Sequence, residues 1–110
     1  MLILLYMFLF SGVLVMALSA PMIIGKIPPN GLYGFRVKKT MENPDIWYPV
    51  NAYSGKWLLA IGLVMVLAAV GLFFVPGISL DVYAYAVLAV WVVMFTVGMV
   101  ACVRYMNSLP

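Results

Sequence analysis

Three long apolar runs, Leu2–Ile24, Trp57–Val75 and Val82–Val103, carry no charged residue and divide the chain. At 1.5 Å per residue they reach about 35, 29 and 33 Å as helices, against a hydrocarbon layer about 30 Å thick. Lipid offers no partner for backbone amides and carbonyls, so each run is expected to be a helix crossing the membrane. Period-2 alternation is missing, and three segments cannot close a barrel. The expected fold is an all-α integral membrane domain spanning residues 1–110. It has three transmembrane helices, at about 2–24, 57–75 and 82–103, with a loop and a short interfacial helix in the 26–56 connection.

The first run is not read as a cleaved leader. No Lys or Arg precedes Lys26, the run is longer than a typical leader core of about 7 to 15 residues, and Pro21 would follow the Ala17-Leu18-Ser19-Ala20 cut. Val75-Pro76-Gly77-Ile78-Ser79-Leu80-Asp81 predicts a tight turn, making the second and third spans an antiparallel hairpin with Asp81 capping the later helix. Gly98 and Cys102 have the four-residue spacing of small residues that admits a close neighbouring helix.

Composition supports this environment and removes much chemistry. Hydrophobic residues make up 67% of the chain and charged ones 8%, too few to clothe a soluble globule. Histidine is absent and cysteine occurs once, so imidazole or thiolate metal cages, Cys/His or Ser/His pairs and intrachain disulfides are excluded by inventory. Glu42 and Asp45 lie beside a helix start, where carboxylates serve structure, so no catalytic residue, metal or cofactor is expected.

Charge placement orients the chain. Five of the six Lys and Arg (Lys26, Arg36, Lys38, Lys39 and Lys56) lie in the first connection, and Arg104 follows the last run. Basic connections stay in the cytoplasm, so the amino terminus and the Pro76–Asp81 turn are expected outside, with the motif loop and carboxyl end inside. The aromatic residues Tyr6, Trp47, Tyr48, Tyr53, Trp57, Tyr83, Tyr85 and Tyr105 sit near span ends, as headgroup anchors do.

The 26–56 connection carries the rest of the information. Pro28-Pro29 is expected to end the first helix, Asn30-Gly31 to turn the chain, and Gly34 to allow close backbone approach. Asn43-Pro44-Asp45 reads as cap, first helical residue and early carboxylate, so a helix starts there. Asn43, Trp47, Asn51 and Gly55 then share one face at four-residue steps. Pro49 is expected to kink that helix or split off an interfacial piece. Arg36, Lys38 and Lys39 form the strongest positive cluster. They suit an anionic lipid headgroup or an acidic segment, with Arg36 the leading candidate because its planar fork binds bidentately. Asn30, Thr40, Asn43 and Asn51 can supply a polar network around it.

The run Pro28-Pro29-Asn30, Tyr33-Gly34-Phe35-Arg36, then Thr40, Asn43, Trp47, Asn51 and Gly55 resembles the signature of the SdpI family, including its short YfhL-like members. Val37 and Pro49 depart from that pattern. The resemblance implies a bacterial cytoplasmic (inner) membrane protein that confers immunity to a secreted toxic peptide or acts in signal transduction by holding a transcriptional repressor at the membrane. Its candidate partner- or anion-binding residues are Asn30, Gly34, Phe35, Arg36, Lys38, Thr40, Asn43, Trp47, Asn51 and Gly55. The expected partners are the lipid bilayer with its anionic headgroups, and a toxin peptide or repressor, with no direct nucleic acid contact. The alternatives are a small homo-oligomeric transporter or pore, and an accessory subunit of a membrane complex.

Overall fold

The computed structural model describes residues 1–30, 34, 36 and 38–109. The order is α1 (Leu2–Ile23), α2 (Lys38–Glu42), α3 (Pro44–Phe73) and α4 (Leu80–Asn107). Three of these helices are long and apolar enough to cross a membrane. The bundle measures 52 × 22 × 19 Å, a rod matched to a bilayer of about 40–45 Å with its headgroups.

α3 is the central helix: α1 and α4 both pack along it, and α2 lies against it. At 30 residues it is about 45 Å long, more than the hydrocarbon layer requires. The charge-free run from Trp57 onward is by itself long enough to cross that layer, and the turns before it carry Asp45, Asn51 and Lys56. Asn43 starts it as expected, its side chain accepting from the Asp45 amide at 3.0 Å, with Pro44 in the first helical position. Pro49 does not split it; the helix runs unbroken through that residue. The amide Pro49 lacks would have reached back to Asp45, an exposed first-turn residue, so little is lost there. The short helix of the connection is instead Lys38–Glu42.

Two other ends differ from the sequence expectation. α1 ends at Ile23, before Pro28-Pro29, with Ile24 as its cap and then Gly25, whose φ of 72° suits glycine. Gly25 donates to the Met22 carbonyl at 3.3 Å and Lys26 to that of Pro21 at 3.0 Å, closing the last turn. At α4 the cap is Ser79 rather than Asp81. Ser79 has extended backbone, and its hydroxyl accepts from Val82 N at 3.2 Å. Asp81 is already inside the first turn, where its charge favours the helix dipole but its side chain cannot serve as the cap. The hairpin itself forms: Tyr83 donates to the Ala69 carbonyl across it at 2.7 Å.

Lipid tails are as apolar as leucine, so helices associate here through close packing. α1 and α3 use small residues seven apart: Gly12 and Ser19 face Gly62 and Gly55, with Ala69 another seven on. A Cβ on Gly62 would lie 2.7 Å from the Gly12 carbonyl, and one on Gly55 3.0 Å from that of Ser19. Phe8, Met65, Ala69, Tyr83 and Val87 fill one end of the bundle, and Ile46, Val50 and Met106 the other. Phe10, Leu67, Val92 and Val93 are exposed on the outer faces, as lipid contact demands.

Candidate functional site

The start of α3 organises the preceding connection. Trp47 has no exposed surface, and its indole nitrogen donates to the Ile27 carbonyl at 2.7 Å. That bond ties the chain just after α1 to the second turn of α3. One turn further on, Asn51 is 2% exposed and donates from Nδ2 to the Trp47 carbonyl at 2.9 Å, which aims the rest of its carboxamide at the loop.

Gly34 occupies the space over both. Its φ is 113°, a backbone conformation open to glycine. A Cβ there would lie 2.6 Å from Asn51 Oδ1 and 3.2 Å from the Trp47 ring. Thr40 is fully buried on the inner side of α2. Gly55, last on the stripe, receives the end of α1 instead of the loop, with Ile23 and Met22 beside it. The face read as Asn43, Trp47, Asn51 and Gly55 thus does three jobs: it caps α3, seats the loop and seats α1.

Arg36 and Lys38 are exposed. Asn30 donates from Nδ2 to the Pro28 carbonyl at 2.8 Å, a local turn bond. Phe35 lies outside the described residues, as do Tyr33, Val37 and the Gly31 half of the expected Asn30-Gly31 turn. The structure brings Gly34, Trp47 and Asn51 into one cluster and leaves Arg36 and Lys38 on the surface beside it.

Two features escaped the sequence reading. Lys39, read only as part of the positive cluster led by Arg36, donates from Nζ to the carbonyls of Met106 and Leu109, each at 3.1 Å. These carbonyls lie at and just beyond the end of α4, where the helix dipole is negative and favours an ammonium; that of Met106 also accepts from the Leu109 amide at 3.1 Å. The only sequence signal was a lysine one residue from Thr40. The second feature is a groove of about 270 Å³ between α1, α3 and α4, lined by Leu18, Met22, Ile61, Phe95, Ser54 and Cys102, with Gly34 at its rim. Ser54 donates to Cys102 Sγ at 3.2 Å in its wall, and Leu18 and Phe95 are partly exposed at its mouth. Gly98 meets Trp57 and Ile61 across ordinary contact distances, so the Gly98/Cys102 spacing admits side chains rather than a touching backbone.

The pattern of the SdpI/YfhL protein family matches residues 26–106, from the loop through α3 and α4. The chain belongs to the SdpI/YfhL family. The match extends well past the motif loop, and α1 precedes it. Comparison with curated proteins and with solved structures gave no significant match. In this SdpI/YfhL protein Gly34, Trp47 and Asn51 lie against one another, and Arg36 is exposed two residues beyond that glycine.

Proposed function

We propose that this protein is a binding component of the bacterial cytoplasmic membrane, acting as SdpI-type proteins do in protection against a secreted toxic peptide or in holding a regulator at the membrane. The observation carrying the reading is the anchoring of the loop. Trp47, Asn51 and Thr40 are buried and Gly34 packs on the first two, while Arg36 and Lys38 remain exposed. A solvated linker has no need to hold its basic residues in place. A recognition surface does, because a preorganised fork loses less entropy when it meets a carboxylate or phosphate. The groove adjoining Gly34 adds room for an apolar side chain of a membrane-active peptide. The basic connection and Arg104 favour a cytosolic loop and carboxyl end.

The test is protection or partner recruitment in cells carrying Arg36→Ala or Asn51→Ala, with membrane insertion checked in parallel. Arg36→Ala is expected to insert normally and lose the activity, since its side chain is exposed. Asn51→Ala is expected to lose it by loosening the loop. Full activity in both variants overturns the reading.

A further inference from the structure

A second group of aromatic and basic residues lies along α3 and α4, and none of them belongs to α1 or to the segment before α3. Tyr53 and Tyr105 stack there, ring centroids 4.4 Å apart and planes 16° from parallel. Tyr53 lines two crevices. One, of about 440 Å³, is lined by Tyr53, Tyr105, Val97, Val100, Ala101 and Arg104. The other, of about 210 Å³, is lined by Tyr53, Lys56, Trp57 and Ala60. Each crevice therefore combines an apolar wall with one cation at its edge.

Lys56 and Arg104 are also the charges that close the apolar stretches of α3 and α4, so both stand at the same boundary of the hydrocarbon layer. Both are exposed, and among the described residues neither is in an ion pair. Long cationic side chains at this depth reach toward the headgroups. Tyrosine rings at the same level match that layer, apolar in body and polar at the hydroxyl.

We propose that this seam binds one anionic glycerophospholipid, its phosphate held between Lys56 and Arg104 and its acyl chains lying in the two crevices that share Tyr53. An acyl chain gains little by leaving other chains for a protein crevice, so the choice among lipids falls to the headgroup. Two cations flanking one aromatic platform favour a negatively charged headgroup over a zwitterionic one by charge complementarity. The proposal goes beyond the loop reading, and either can fail without the other.

Trp57 lines the smaller crevice and supplies the measurement. The full chain carrying Trp91→Phe retains Trp57 and the fully buried Trp47. It is reconstituted in zwitterionic vesicles containing a small fraction of phosphatidylglycerol or phosphatidylcholine with brominated acyl chains. The brominated anionic lipid is expected to quench at about fivefold lower mole fraction than the zwitterionic one. Unbrominated phosphatidylglycerol should reverse the quenching and unbrominated phosphatidylcholine should not. Lys56→Gln with Arg104→Gln should abolish the preference, Lys56→Arg with Arg104→Lys should keep it, and Lys26→Gln should leave it intact. Equal quenching by the two headgroups overturns the proposal, as does a loss in Lys26→Gln as large as in the double variant, which would reduce the effect to general surface attraction. The competition arm uses no substitution in the seam and so decides the matter even if the double variant does not fold.

Discussion

Gly34 shows how one residue sets the shape of the loop. Its φ of 113° costs a non-glycine residue about 1–3 kcal/mol, and a methyl group there would press on Asn51 Oδ1 at 2.6 Å. Gly34→Ala is therefore expected to release the loop while leaving the three long helices intact. The checks are a red shift of Trp47 emission and faster proteolysis between residues 26 and 38, with unchanged helix content by circular dichroism. Arg36 belongs to the same scale but acts differently, since its side chain is exposed two residues beyond that glycine. Gly34 and Arg36 were both legible as motif residues. Which of them anchors and which is displayed was not, because a residue's exposure depends on what packs over it.

Between elements, the close contact of α1 with α3 rests on residues too small to draw notice in an apolar run. Gly62→Ala would drive a Cβ to 2.6 Å from Met16 Cγ and 2.7 Å from the Gly12 carbonyl. We expect it to destabilise the bundle by about 1–3 kcal/mol, the usual cost of overpacking. Gly71 lies on the same helix with nothing near its Cβ position, so Gly71→Ala should be neutral or stabilising by up to about 1 kcal/mol. Unfolding of the two variants in mixed micelles compares them directly; equal effects would mean that the small residues of α3 are not its contact face. The link from Lys39 to the end of α4 is likewise a contact between elements. Lys39→Gln should increase hydrogen exchange at residues 106–109, which lose an ammonium partner for two carbonyls.

The whole molecule is a rod of three long helices with α3 in its centre, and its basic residues crowd one end. In cells, a chain carrying Cys102→Ser and Lys38→Cys should resist labelling by an impermeant maleimide until the membrane is opened, and one carrying Cys102→Ser and Gly77→Cys should label at once. The reverse pattern would put the motif loop outside. Charge-free runs of sufficient length determined the number of membrane helices, because lipid forces any such segment to satisfy its own backbone. Asn43-Pro44 determined where α3 starts, since capping is a local matter of a few adjacent atoms. The sequence could not place Ser79 over Asp81 as cap, because both lie near the same start and only the backbone path selects one. Nor could it show that α3 passes through Pro49, that Lys39 reaches α4, or that Tyr53 and Tyr105 stack. Those last two contacts join residues far apart in the chain, and their partners are chosen by how the helices lie against one another, a balance of packing that no local pattern records.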